Sequence, residues 1–516
     1  YMPRQELIIK PVGSVNRRDP WDELNPTEVR LRENFLVIGV GDAKVNKKMS
    51  GSERLSDTDL GGNFRWVTRY YSGSIAKTFA FNQGDGILYH ISDNGVATSV
   101  IVGMSKQGFI AHETMKVLNT NVLFISDGFT TMKSYNGNVG HVWKEEDGIS
   151  LKPVSMVSHL DRMWYVEEDS EDLIFSKNLD PTNVTDTDDA GIVTIGAKRG
   201  AKNQTLFLWD EVLYILKEDS LFVLEGRTPS QFNVREIQGI PGTPMRRSVV
   251  PDKRGGTGVY WLSQEFEYGV FKGGAFTILS YNFAMGGDHI KDLVTIINKS
   301  QSMLDKAQAT FHDKLYRCTF VETGKIVPNL EYIYNTTNKT DGLTRGNQVG
   351  CYAVYDKSPD AQQLVTGRSD AGLLMKQYLT QNWDNDASGA SMPIKLYTAF
   401  VGKSIRNKRF HKVWLDAQVL GGEDINITYD VDTRERASVR DSNTLSIRGE
   451  IVVIVGQNFD VQKTVTDRAV LAHGRSKGTS IGFFIDQDIA NKELSISAFN
   501  VEVIVKSKKH NKFVGV

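Results

Sequence analysis

Residues able to do chemistry are present in this chain, but their spacing ties few of them together. Catalysis by a bound metal would want histidines, cysteines or carboxylates at ligand spacing. The nine histidines show no HExxH and no pair at i, i+2 or i, i+4. The acidic loop DTDDAG at 186–191 places Asp186 and Asp188 at positions one and three of a calcium loop. Ala190 then stands at the fifth position and Ala197 at the twelfth, so a chelating oxygen and the bidentate Glu are both missing, and a solvated turn is the better reading. GVG at 39–41 lacks the third glycine of a dinucleotide cradle, and Gly402-Lys403-Ser404 has Tyr397 where a P-loop needs its first glycine. No Cys–His–Asp arrangement can be nominated by spacing. No catalytic residue, cofactor or metal site is assigned, and the chain is expected not to be an enzyme.

One catalytic class needs only carboxylates, or a tyrosine with arginines, and is common on ring-shaped β folds: the glycoside hydrolases and sialidases. Ser92-Asp93-Asn94-Gly95 and Ser126-Asp127-Gly128 faintly resemble the Asp-box turns of sialidases, without the full spacing or the closing Trp. Such turns are structural in any case, since Asp bonds its own backbone and Gly supplies positive φ. Asp161, Asp210 and Asp313 recur once per repeat at hairpin tips, which turn chemistry alone explains. Tyr165, Tyr214, Tyr316, Trp209 and Trp261 could line a sugar-binding face, but packing between sheets is the simpler account.

The elements that carry these residues repeat. A turn-forming polar residue followed by a strand-like aromatic occurs in DGILY at 85–89, NTNVLF at 119–124, DRMWY at 161–165, DEVLY at 210–214, GTGVYW at 256–261 and HDKLY at 312–316. The aromatics Tyr89, Phe124, Tyr165, Tyr214, Tyr260 and Tyr316 follow one another at intervals of 35–56 residues. That period marks small antiparallel sheets that cannot bury an apolar face alone and protect one another's edges by closing into a ring. The expectation is an all-β chain with a β-propeller of six blades, seven being the alternative count. LFLWDEVLYILKEDSLFVLEG at 206–226 reads as three strands of one blade. Residues 1–62 read as an extended arm, with a short helix begun by Asn25 and Pro26 and ending near Asn34. The propeller, with insertions, occupies 63–385, and a β-sandwich occupies 392–516 after a polar boundary around Asn382–Ser391. Within the sandwich a shift of alternation suggests a bulge near Phe499–Asn500. DHIKDLVTIINK at 288–299 has helical spacing through Ile290, Leu293, Val294 and Ile297 and is expected as a helix between blades, while 321–350 reads as loop-rich, so that the last blade carries a long excursion or closes with strands from elsewhere, and 41–62 reads as an exposed connection.

Composition sets outer bounds. The 516 residues are 40% hydrophobic and 24% charged, ordinary for a folded chain long enough for two domains or more. Sixty-one basic and 62 acidic side chains leave a formal charge of -1, so no global field points to nucleic acid or an anionic membrane. Two cysteines, Cys318 and Cys351, are too few for a disulfide framework, which fits assembly in a reducing compartment. No apolar run is long enough to span a membrane, and YMPRQELIIKPVG has no secretory core. The terminal KSKKHNK at 506–512 reads as a solvated tail.

Several segments, in order, resemble a bacteriophage family: the β-propeller tail proteins called stabilisation, tubular or nozzle proteins. They are Gly13, Asn16, Pro26 and Asn34 with the glycines Gly39, Gly41 and Gly51; FSKNLDP at 175–181; WDEVLYILKEDSLFVLEG at 209–226; GIPGTPMRRSVV at 239–250 with GVYWLSQEFEYGVFKGG at 258–274; and HGRSKGTSIGFFI at 473–485 with ELSISAFNVEVIVKSKK at 493–509. The helix at 288–299 and the loops at 321–350 depart from that pattern. The resemblance implies a structural role at the distal end of a virion tail, assembled in the host cytoplasm. It implies a ring of six copies around a channel for DNA that passes non-specifically, contacts with adaptor and fibre proteins, and no enzymatic activity. A receptor- or glycan-binding baseplate propeller and a propeller glycoside hydrolase are the alternatives.

Overall fold

A computed structural model describes residues 4–10, 29–33, 35–38 and 44–48; 52–195 apart from 139, 141, 147–149 and 169; and 202–278 apart from 253–255, 257, 264–267 and 273. It further describes 296–377 apart from 346–347 and 357–361, then 392–398, and strands within 408–505. Seven blades of antiparallel strands form the ring, over 64–101, 111–145, 153–194, 203–237, 250–278, 308–345 and 349–377, numbered one to seven in that order. The alternative count of seven is therefore the observed one.

Turn chemistry sets the first hairpin of four blades. Leu118-Asn119, Leu160-Asp161, Asp210-Glu211 and Asp313-Lys314 each place two successive residues at positive φ. The flanking pairs Val117↔Thr120, His159↔Arg162, Trp209↔Val212 and His312↔Leu315 close directly over them. These are two-residue type I′ turns, whose twist matches that of the strands, and Asp or Asn tolerates the left-handed region better than most residues. The strand that follows carries Phe124, Tyr165, Tyr214 or Tyr316, so the repeat marks the second strand of these blades, as Tyr260 does in blade five. Tyr89 instead lies in the third strand of blade one.

The ring closes on itself. Leu374–Gln377, the third strand of blade seven, pairs antiparallel with Ser52–Arg54, which precedes blade one in sequence, through Met375↔Arg54, Lys376↔Glu53 and Gln377↔Ser52. The chain then runs along the same blade, with Leu55 N–H donating to the Leu374 carbonyl and Gly372 N–H to Asp59. Part of the polar stretch 41–62 is thus a structural strand rather than an exposed connection. Residues 330–335 and 340–345, expected within a loop, are the third and fourth strands of blade six.

Neighbouring blades bury apolar side chains between them. Tyr70, Phe79, Leu88, Leu123 and Tyr135 fill the seam of blades one and two; Trp164, Phe175, Leu213 and Phe222 that of three and four; Tyr260, Tyr316 and Tyr332 that of five and six. The seam of blades six and seven is different. There Arg317 pairs with Glu331 at 3.0 Å, both essentially unexposed, and the Glu331 carboxylate also accepts from Tyr352 Oη at 2.7 Å and Thr344 Oγ1 at 3.1 Å.

Beyond Leu343 the sheet of blade six continues. Val29–Glu33 adds to it, in parallel, through Glu33↔Leu343, and then pairs antiparallel with Met392–Thr398; Ile481–Ile489, Asp424–Val431 and Leu445–Arg448 follow. A second sheet is built around Lys408–Val419 and Leu494–Val505, joined at its edges by Arg4–Ile9 and the hairpin Phe35–Ile38 with Val45–Lys48. Phe483 from the first sheet stacks on Phe499 from the second, ring centroids 4.9 Å apart. The register of Lys408–Val419 against Leu494–Val505 skips Ser497, between Asp416↔Ala498 and Ala417↔Ile496. The bulge that shifts the alternation therefore sits two residues earlier than Phe499. Residues 29–33, expected at the end of a helix reaching Asn34, form a strand; Val29 and Leu31 alternate with polar neighbours, and sheet pairing overrides the capping signal of Asn25 and Pro26. Asn25, the boundary around 382–391, most of 288–299 and the tail at 506–512 lie outside the described residues. No helix among those described is long and apolar enough to cross a membrane.

Candidate functional site

The first strand of each blade lines the axis, so the residues that lead into those strands gather at one mouth of the ring. Contacts that skip a blade locate that mouth. Gln308, which begins blade six, donates from Nε2 to the Arg65 carbonyl at the start of blade one, 2.7 Å away, past blade seven. Arg246, just before blade five, forms a two-pronged pair with Glu168 of blade three, both bonds 2.9 Å, past blade four. Phe109, leading into blade two, lies under Arg247 at 4.0 Å and under Arg65 at 5.2 Å from its ring centroid. Groups drawn from blades one, two, three, five and six can meet only near the axis.

The charges at this mouth are uneven. Arg65 is fully buried, and its Nε, Nη1 and Nη2 have no hydrogen-bond partner among the described residues. Burial pushes its guanidinium down to about 10, the neighbouring Cys351 thiol acting weakly in the other direction. Arg247 is half-buried, and burial followed by the charges of Arg65 and Arg246 holds its guanidinium well below its ordinary value. Lys306 donates to the Ile326 carbonyl at 2.6 Å and is lowered by burial and by Arg65. Asp305, raised by burial against the pull of Arg246, accepts from Gln301 Nε2 at 2.9 Å. Arg65, Arg246, Arg247 and Lys306 thus face Glu168 and Asp305. Guanidinium groups donate hydrogen bonds and accept none, so the unused capacity here suits binding of an acceptor rather than proton transfer.

The residues singled out from the sequence are not brought together. Asp127 is buried in its own turn, accepting from the N–H groups of Ser105, Phe129 and Thr130 and from Thr130 Oγ1. Burial alone would raise its carboxyl, but those donors outweigh it and hold it below the usual range. Asp93 pairs with Arg69 at 3.0 Å. Asp186 accepts from Lys177 and from the N–H groups of Asp188 and Asp189, while Asp189 pairs with Arg162, so protein cations occupy the acidic loop. No group of three His, Cys, Asp or Glu among the described residues could hold a metal ion. Asp161, Asp210 and Asp313 sit at positive φ in hairpin tips. Tyr165, Tyr316 and Trp261 are buried, and Tyr214 stacks on Phe207 with centroids 5.2 Å apart, so these aromatics pack blades. Both cysteines are buried and free. GVG at 39–41 and Gly402-Lys403-Ser404 lie outside the described residues.

Arg65 and Phe109 were not legible as a site. The adjacent Arg246-Arg247 within MRRS was the single local signal, and nothing in the sequence ties it to Arg65.

No family model and no curated protein matches this chain. Among solved structures, the computationally designed protein Ika8 is 11% identical with a TM-score of 0.36, over 68% of this chain and 99% of that one. Virginiamycin B lyase from Staphylococcus aureus is 11% identical with a TM-score of 0.39, over 63% and 97%. The extracellular domain of a hybrid two-component system from B. thetaiotaomicron is 11% identical with a TM-score of 0.41, over 73% and 45%.

Proposed function

We propose that this chain is a structural component of a bacteriophage tail, a nozzle-type protein that forms or closes the DNA channel at the distal end. Its role on this reading is mechanical rather than enzymatic. The observation that carries it is the way the chain is tied together. Blade seven is closed by Ser52–Arg54, and blade six continues as one sheet through Val29–Glu33 into the C-terminal strands. We read the two C-terminal sheets as the halves of a β-sandwich. A body whose parts are joined by sheet hydrogen bonds keeps its outer faces in fixed relation, which a subunit of a symmetric ring requires. The ordered segments that resemble tail proteins, among them GIPGTPMRRSVV at 239–250, are what supports a virion tail as the place of the ring. Its partners on this reading are five further copies of itself, adaptor and fibre proteins, and DNA in transit, all in the virion tail.

Negative-stain microscopy and multi-angle light scattering of the purified chain, across a range of ionic strengths, test the reading. Closed rings of about six copies are expected. Monomers under every condition, together with virions whose tails lack the protein, would refute it.

A further inference from the structure

We infer that the axial mouth of the propeller is a binding site for a small multivalent oxyanion, a phosphate group or a dicarboxylate, held by Arg65 and Arg247 beside the Phe109 ring that both contact. This goes beyond the tail reading and does not depend on it. Removing a guanidinium from water without partners is strongly unfavourable, and a cation–π contact offsets only a minor part of that cost. The Phe109 ring therefore cannot account for Arg65, whose three nitrogens are all buried and unpartnered among the described residues. Neutralisation is no way out, because a guanidinium at about 10 stays charged at neutral pH.

Geometry and charge point the same way. Arg246 is already engaged by Glu168 and Lys306 by the Ile326 carbonyl, so the uncommitted donors belong to Arg65 and Arg247. Among these described groups Glu168 and Asp305 are set against four cations, an excess of two positive charges that a dianion would balance. Arg247 keeps part of its surface in solvent, whereas Arg65 is fully buried beside the same Phe109 ring. Planar N–H forks match carboxylate and phosphate oxygens two at a time.

The test uses the full chain. Inorganic phosphate and, separately, succinate are titrated calorimetrically at constant ionic strength against a chloride control, with thermal unfolding followed in parallel. Saturable one-to-one binding of at least one anion and a rise in Tm are expected, and which anion binds separates a tetrahedral from a dicarboxylate ligand. Arg65→Met and Arg247→Gln should each weaken binding about tenfold or more while the far-ultraviolet spectrum is unchanged. Arg247→Gln, at the half-buried partner, carries the test independently of any change in the core around Arg65. Absence of saturable binding beyond the chloride control, or wild-type affinity in the Arg247→Gln protein, overturns the inference.

Discussion

Two buried arginines in this ring have opposite surroundings. Arg317, in the seam of blades six and seven, pairs with Glu331, and that carboxylate is in turn held by Tyr352 and Thr344. Arg65, at the axial mouth, is equally inaccessible and has a phenyl ring where a carboxylate would be expected. Both would be expensive if left alone, and the protein neutralises only one of them. A buried charge with its counterion in place belongs to the architecture. One without it marks a position where something from outside completes the structure.

The largest effect should come from breaking the satisfied pair. Glu331→Gln leaves Arg317 as an uncompensated buried cation and is expected to lower unfolding free energy by about 3–5 kcal/mol, measured by urea titration. Next is the Asp127 turn. Asp127→Ala removes an acceptor of four donors and should cost about 2 kcal/mol. Because that carboxyl is lowered in the folded state, its contribution is complete above the unfolded value near 3.9 and lost as pH falls through the lower folded value. The stability difference between wild type and Asp127→Ala should therefore shrink on acidification below about pH 4; a difference that grows there would contradict the assignment. Arg65→Met, in buffer free of multivalent anions, should do the reverse of Glu331→Gln and stabilise the chain by about 1–2 kcal/mol. Loss of stability in that variant would show that Arg65 already has a partner. The smallest change is at an exposed hairpin: Leu118 sits at φ 44 with its side chain in solvent. Leu118→Asn with Asn119→Gly gives the turn its preferred residues and should add about 0.5–1 kcal/mol, read as a small rise in Tm.

What could be read from the sequence follows from how local each feature is. Asp161, Asp210 and Asp313 announce their hairpins because the type I′ geometry is decided within a few residues, and the aromatics that follow mark strands for the same reason. Blade seven escaped because its second strand, QQLVTGR at 362–368, has no aromatic to flag it. Blade one was marked on the wrong strand because its Asp85-Gly86 turn joins the second strand to the third. Ser52–Arg54 is too short and too polar to read as a strand at all; its pairing is specified by a partner more than three hundred residues away. Arg65 was invisible for a related reason. In NFRWV it alternates as a solvent-facing residue would, and the neighbours that bury it come from blades two, five and six.

The closing strand also carries a consequence for biosynthesis. Ser52–Arg54 leaves the ribosome long before its partner Leu374–Gln377 is made. At roughly 5–20 residues per second, the interval is on the order of tens of seconds. For that time the growing chain is an open arc with two uncapped ends, and the last blade to be translated locks the first segment in place. Premature termination before the strand Leu374–Gln377 is made would leave the circle unsealed, which makes synthesis through the seventh blade its own quality check.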